Sequence, residues 1–122
     1  MPDIIINKSL FYNPVDYVLK MIGGTWKAPI LWRLKKKTLR YSELEKDIPH
    51  ISQKMLTRAL KDLESYGLVS KKVFPAVPPH TEYSLTEKGR KVVKTVAQIR
   101  DLGIELMKEE GIDYEKRVKE SK

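Results

Sequence analysis

The sequence predicts a mainly α-helical fold with a small β-hairpin, and three observations carry that prediction. Two helical stretches meet across a proline turn: Tyr41-Ser42-Glu43-Leu44 leads into Ile48-Pro49-His50-Ile51-Ser52, and residues 53–67 follow with a helical period. Residues 69–74 and 81–85 then alternate as strands do, split by Pro75, Pro78 and Pro79. Beyond them an apolar repeat runs from Val92 to Leu106. Helix, turn, helix and hairpin in that order is the sequence form of a winged helix-turn-helix, extended here by N- and C-terminal dimerisation helices.

One hundred and twenty-two residues suit one domain, 1–122. It divides into an arm (1–13), a DNA-binding core and wing (14–85), a dimerisation helix (86–111) and a charged tail (112–122) expected to fray. A chain of this size buries roughly two thirds of its unfolded surface, enough for one core. It contains no cysteine, so disulfides and thiolate metal sites within it are excluded. The net charge of +8 favours anionic partners. Residues 26–61 hold ten Lys and Arg against three acids, a local +7, whereas residues 100–122 hold six against seven, a local −1. The surplus therefore coincides with the helix-turn-helix. No apolar run approaches the ~20 residues that span a bilayer, and Ile4-Ile5-Ile6 lacks the flanks of a signal peptide, so no membrane contact and a cytoplasmic location are expected.

Taken in order, residues 1–11 show no helical period and read as an extended arm. Asn13 caps a helix with Pro14 in its first turn, and Val15, Val18, Leu19 and Ile22 mark one face. Gly23-Gly24 ends it. A second helix begins at Thr25 or Lys27, with Ile30, Leu31 and Leu34 inward; Pro29 is tolerated within its first turn. Ser42 reads as the N-cap of the next helix, with Glu43 and Glu45 near its positive end. Pro49 breaks that helix and Ser52 restarts one. In this last helix Leu56, Ala59, Leu60 and Leu63 recur at three- and four-residue spacing and belong to the core. Gln53, Lys54, Thr57, Arg58 and Lys61 lie on the other side, all hydrogen-bond donors and none acidic, where an ordinary solvated face mixes signs. Gly67 stops the helix. Thr86 caps the long final one, which ends at Gly111.

A major groove about 12 Å wide admits one helix, so Ser52, Gln53, Lys54, Thr57, Arg58 and Lys61 are the expected groove contacts, with the helix start suited to a phosphate. Arg40, Ser42, Lys71, Lys72, Pro79 and His80 are the expected backbone and wing contacts. Val92, Val96, Ile99, Gly103 and Leu106, spaced four, three, four and three, form a heptad-like seam. With the apolar arm of Ile4, Ile5 and Ile6 they are the expected dimer interface, although such a seam could also close the monomer's own core. Trp26, Trp32, Tyr12 and Tyr17 fit packing better than a ligand pocket. His50 and His80 sit in a turn and a hairpin tip; no nucleophile–base pair, metal cluster or glycine-rich phosphate loop is visible, so neither catalysis nor a cofactor or metal is expected. The second reading left open is a winged-helix interaction module that uses its basic face on acidic protein partners.

These words together resemble the HxlR-type family of winged helix-turn-helix transcriptional regulators. The resemblance rests on Ile22-Gly23-Gly24-Thr25-Trp26-Lys27, Ile30-Leu31, Arg40-Tyr41-Ser42-Glu43-Leu44, Ile51-Ser52-Gln53-Lys54-Met55-Leu56-Thr57, Leu60-Lys61-Asp62-Leu63-Glu64, Gly67-Leu68-Val69, Val77-Pro78-Pro79 and Glu82-Tyr83-Ser84-Leu85-Thr86-Glu87-Lys88-Gly89, which span residues 14–93. It implies a homodimer with intertwined terminal helices, a recognition helix at 52–66, a wing at 69–85 and double-stranded DNA as partner. Some members sense oxidants through a cysteine just before the first helix's proline; here Asn13 stands there, so thiol sensing is not expected. The family usually places arginine after the Pro-Pro pair of the wing, where this chain has His80. The resemblance names no operator, effector or sign of regulation.

Overall fold

A computed structural model describes residues 3–120; the first two residues of the arm and the last two of the tail lie outside them. The elements run β1 (Ile4–Ile6), β2 (Ser9–Phe11), α1 (Pro14–Ile22), α2 (Lys27–Leu34), β3 (Leu39–Arg40), α3 (Tyr41–Asp47), α4 (Gln53–Ser65), β4 (Val69–Phe74), β5 (His80–Leu85), α5 (Glu87–Glu109) and α6 (Tyr114–Glu120). Among the described residues no helix is long and apolar enough to cross a membrane.

The arm is not merely extended. β1 and β2 pair antiparallel as Ile4↔Phe11, Ile5↔Leu10 and Ile6↔Ser9. Asn7 and Lys8 join them with φ of 50° and 66°, the double positive φ that a tight two-residue hairpin turn requires. Phe11 anchors the hairpin, edge-on to Tyr17 with ring centroids 5.0 Å apart. Asp16 holds the residue after Phe11: its carboxylate accepts from the Tyr12 N–H at 3.0 Å and pairs with Lys20 at 3.3 Å. That N–H and the lysine hold the Asp16 carboxyl below the usual carboxylate range.

α1 starts as the sequence predicts: Asn13 Oδ1 accepts from Asp16 N–H at 2.9 Å, with Pro14 in the first turn. Its apolar residues divide, however. Met21 and Ile22 are buried and Val18 packs on the core, while Val15 and Leu19 stay exposed. α2 begins at Lys27 without a side-chain cap. Its Arg33 guanidinium donates to the carbonyls of Pro29 (3.1 Å) and Asp47 (2.9 Å), joining α2 to the end of α3.

Ser42 is not the cap of α3. Arg40 occupies that position, and its backbone N–H donates to the Glu43 carboxylate at 2.9 Å. One helical residue therefore precedes Ser42, which lies exposed in the first turn. The turn to α4 passes through His50 at φ +67°, a left-handed conformation that costs a non-glycine residue energy. Ser52 Oγ then accepts from Met55 N–H at 3.1 Å and starts α4.

The expected hairpin gains a third strand. β5 lies between β3 and β4, paired Leu39↔Tyr83 and Arg40↔Glu82 on one side and Val69↔Leu85 through Phe74↔His80 on the other. Two residues such as Leu39-Arg40 have no period of their own; pairing with β5 makes them a strand. Beneath the sheet, Ile30, Leu31, Leu44, Leu56, Leu60, Leu63 and Leu68 are fully buried, each stabilising the fold by roughly 1.5–3 kcal/mol relative to exposure.

α4 and α5 meet at one junction. Gly67, at φ +76°, lets the chain turn back, with its N–H on Glu64 O and the Leu68 N–H on Leu63 O, both at 2.9 Å. Thr86 caps α5, its Oγ1 accepting from Gly89 N–H at 3.0 Å while its hydroxyl donates to Gly67 O. Its own N–H donates to Leu68 O at 3.1 Å, and the Lys88 ammonium donates to Tyr66 O at 2.8 Å. Gly89 fits flush against this: a Cβ there would come within 2.0 Å of Leu68 O.

The apolar seam of α5 divides between the chain's own core and its surface. Val96 is buried in the chain's own core together with Val93, which the heptad pattern omitted, and Val92 packs on that core. Only the distal part is open, with Ile99, Leu102 and Leu106 exposed at 48%, 52% and 49%. The tail, expected to fray, forms the helix α6 over Tyr114–Glu120. Asp113 Oδ1 caps α6 through Lys116 N–H at 3.1 Å, and Arg100 of α5 lies 5.6 Å from the Tyr114 ring centre and 5.4 Å from that of Trp32.

Gly89→Ala is expected to force α5 off Leu68 and destabilise the fold by at least about 1–3 kcal/mol, read from urea unfolding; an unchanged midpoint contradicts the close approach. Asp16 titrates with a depressed pKa, so its contribution is present at neutral pH and fades only as pH falls through that lowered value. NMR titration of the Tyr12 amide should therefore show its step below the ordinary carboxylate range, and Asp16→Asn should abolish it.

Candidate nucleic-acid interface

The recognition-helix residues named from the sequence come together. Gln53, Lys54, Thr57, Arg58 and Lys61 line one open cleft of about 420 Å³ together with Tyr41 of α3. At 100° per residue they occupy an arc of roughly 140° on α4, opposite Leu56, Ala59, Leu60 and Leu63, which are buried. That opposition fixes the cleft: the same period that sinks the leucines turns the donors outward. Arg58 sits at the arc's edge and also borders a smaller hollow of about 180 Å³, with Gly24, Trp26, Met55 and Asp62. The donor face therefore meets an acid one turn further on.

The cations are free of carboxylates. Ion pairs join Asp16 to Lys20, His80 to Glu82 and Arg100 to Asp101. None involves Arg40, Lys54, Arg58, Lys61, Lys71 or Lys72. An array of unpaired cations on an open face attracts a polyanion, since no internal partner must be displaced first.

Tyr41 is the residue that sequence reasoning left without a role. Its hydroxyl lies 3.1 Å from Gln53 O and 2.9 Å from Thr57 Oγ1. A carbonyl only accepts, so the Tyr41 proton goes to Gln53, and Thr57 donates its own proton to Tyr41. Thr57 thus faces the cleft with acceptor lone pairs and a methyl group, not as the donor its place in the donor face suggests. The sequence signal was weak: a tyrosine in a first helical turn twelve residues before its partner has many possible fates. Behind the cleft, burial pushes the Tyr83 phenol up, with Glu64 adding to the effect.

The wing residues separate by strand alternation. Ser70, Lys72 and Phe74 share a face with their partners Ser84, Glu82 and His80, while Lys71 lies on the opposite face with Val69 and Tyr83. Lys71 and Lys72 are therefore not one patch. The His80 ring stacks on Phe74 at 4.7 Å, with an interplanar angle of 11°, and its Nε2 is 3.1 Å from Glu82 Oε2. Lys72 lies 5.0 Å from the Phe74 ring centre. His80 is thus a packing member of the wing, and any charge it gains faces Glu82. Pro79 is exposed beside it, after the cis Val77–Pro78 bond. Arg40 and Ser42 are exposed where β3 enters α3, on either side of Tyr41 in the chain.

Tyr41→Phe should cost about 0.5–1.5 kcal/mol by removing the shared hydroxyl. A double-mutant cycle with Thr57→Val should show coupling of similar size; strict additivity in urea unfolding means that the two hydroxyls do not meet.

Comparison with known proteins places the chain in a family. The model of the HxlR-like helix-turn-helix family matches residues 21–111. An HTH-type transcriptional regulator of Methanothermobacter thermautotrophicus is 46% identical over 89 residues, covering 73% of this chain and 68% of that protein. Among solved structures, the HTH-type transcriptional regulator ytcD superposes with a TM-score of 0.74 at 38% identity, covering 79% of this chain and 98% of the other. The reduced form of the redox regulator HypR gives 0.71 at 40% identity, covering 75% and 90%. With a donor arc on α4, a paired wing and this similarity over most of its length, the chain belongs to the HxlR-like helix-turn-helix family and is a DNA-binding transcriptional regulator of the winged-helix type.

Proposed function

We propose that the chain acts in the cytoplasm as a homodimer that reads a two-fold DNA site, without a cofactor and without thiol sensing. One observation carries the DNA reading: the carboxylate-free cleft of Tyr41, Gln53, Lys54, Thr57, Arg58 and Lys61 on the exposed arc of α4. In this reading Gln53, Lys54 and Arg58 face base edges and Lys61 a phosphate. The Ser52 end of α4 offers N–H groups to a second phosphate. Arg40, Ser42, and Lys72 with Pro79 and His80 on the wing follow the flanking backbone; Lys71, on the other wing face, serves only if the wing lies edge-on.

The dimer reading rests on exposed apolar groups at the two ends of the chain. Ile4, Ile5, Ile6, Leu10, Tyr12, Val15 and Leu19 are exposed near the N-terminus, as are Ile99, Leu102 and Leu106 on distal α5. An apolar surface this extensive on a chain of this size is characteristic of an interaction site. Val96 belongs to the monomer core, so pairing falls to the distal α5, Gly103 included, and to the N-terminal hairpin. The absence of cysteine separates this chain from redox regulators that act through a thiol; any signal must use other chemistry.

A mobility-shift assay with the DNA upstream of its own gene, in excess competitor, tests the whole reading. Arg58→Ala is expected to cost about 1–3 kcal/mol at the specific site and relax preference at one or two base pairs. An equal loss on random DNA would make Arg58 a phosphate contact, and no loss would refute the cleft. The slope of log affinity against log salt should be clearly negative, at roughly −0.9 per phosphate contacted, and Lys72→Ala should reduce it by about one. Ile99→Glu should split the dimer and abolish specific binding while leaving the monomer folded, because Ile99 is half exposed in the single chain. Sedimentation of the unaltered protein as a monomer at micromolar concentration, or full operator affinity in a monomeric Ile99→Glu variant, would sink the dimer reading.

A further inference from the structure

On another flank of α5 a cavity of about 340 Å³ opens between the end of α2, the base of β5 and the first half of α5. Its lining is Lys35, Leu85, Arg90, Val93, Lys94 and Ala97. At 100° per residue Arg90, Lys94 and Ala97 lie within roughly 60° of one another and about 145° from the centre of the Ile99–Leu102–Leu106 stripe. The cavity is therefore turned away from the α5 stripe assigned above to pairing. It also shares no residue with the recognition cleft.

Its composition is unusual for a surface hollow. The floor is apolar: Leu85 and Val93 are 8% and 3% exposed, and Ala97 adds a methyl group. The rim carries three cations, Lys35, Arg90 and Lys94, and no carboxylate lines it. Among the described residues none of the three is in an ion pair. Lys35 lies instead over the Trp32 ring, 4.5 Å from its centre. Three like charges round one hollow repel each other, and an anion placed among them removes that cost. A phosphate of the DNA backbone would use the rim but leave the floor unused. A ligand that uses both has one anionic group and an apolar body. Arg90 presents a planar fork that matches a carboxylate, and Lys35 and Lys94 supply point charges beside it. The volume lies within the range of small-molecule sites.

We propose that this cavity binds a small amphipathic organic anion, with a carboxylate held by Arg90, Lys94 and Lys35 and a compact apolar body seated on Leu85, Val93 and Ala97. The site is formed by one chain and does not depend on the DNA or dimer readings.

The test is a titration of the intact protein with 2-naphthoate, followed by amide NMR shifts, beside its neutral analogue 2-naphthamide. The expected result is a saturable shift centred on Lys35, Leu85 and residues 90–97, with the amide at least roughly tenfold weaker, as the loss of a charge-assisted contact requires. The double variant Arg90→Gln, Lys94→Gln should weaken naphthoate by a similar factor and leave naphthamide unchanged; both side chains are exposed, so the fold should tolerate the change. Equal binding of the two compounds overturns the proposal in favour of an apolar patch alone. Shifts confined to Ile99, Leu102 and Leu106 overturn it in favour of the pairing surface. If naphthoate does not saturate in the millimolar range while the double variant reduces the salt slope of DNA binding, the rim serves phosphates and the proposal fails.

Discussion

The contact between Gly89 and the Leu68 carbonyl is the constraint on which most of the molecule turns. It allows α5 to leave the sheet directly where α4 ended, because no side chain separates the two backbones. Around it, Thr86 and Lys88 satisfy the carbonyls of Gly67, Leu68 and Tyr66, which would otherwise be unpaired at a helix end. The end of α4, the base of the wing and the start of α5 are thereby fixed to one another by backbone atoms. Side-chain packing beneath, through Leu63, Leu68 and Val93, then holds what the hydrogen bonds position.

The charge surplus divides into two populations that composition alone cannot separate. Lys20, Lys27, Arg33 and Lys88 place their heads on the backbone carbonyls of Leu10, Lys20, Asp47 and Tyr66. These cations close turns and helix ends; they keep their charge, but their donors are already engaged and would have to leave a carbonyl to reach a phosphate. The cations of α4, of the wing and of the hollow beside α5 have no such occupation. Function in this chain is therefore better located by which cations lack an internal acceptor than by where cations are dense. By that measure Arg33, which sits inside the densest basic stretch, is structural.

Much of the fold was legible because it is written in periods and punctuation. The leucines of α4 recur at helical spacing, Gly67 and Thr86 mark an end and a start, and the alternation of 69–74 and 81–85 survives in the paired hairpin. What escaped depends on partners distant in sequence or on competition between local groups. Three consecutive isoleucines show no alternation, and Asn7-Lys8 puts a lysine where φ is positive, so the N-terminal hairpin had no signature. Ser42 looked like a cap, but the Glu43 carboxylate reaching Arg40 moved the helix start forward. The tail's charges concealed a helix that Asp113 begins and that Arg100 grips through Tyr114. In the candidate site the outward arc of α4 was readable from its period, whereas the direction of the Tyr41–Thr57 hydrogen bond was not. Lys71 and Lys72 could have been separated from the sequence alone, since neighbours on a strand face opposite ways.

α5 is also a lever. Its 23 residues extend about 34 Å at 1.5 Å per residue, and it is clamped at one end against Leu68. A tilt of about 5° at the clamp carries the far end through roughly 3 Å, close to the rise of one base pair. For two chains joined at those far ends, the reach between their reading heads is then set by a fulcrum smaller than a methyl group. Anything that bears on the helix near this fulcrum acts with the full length of the arm.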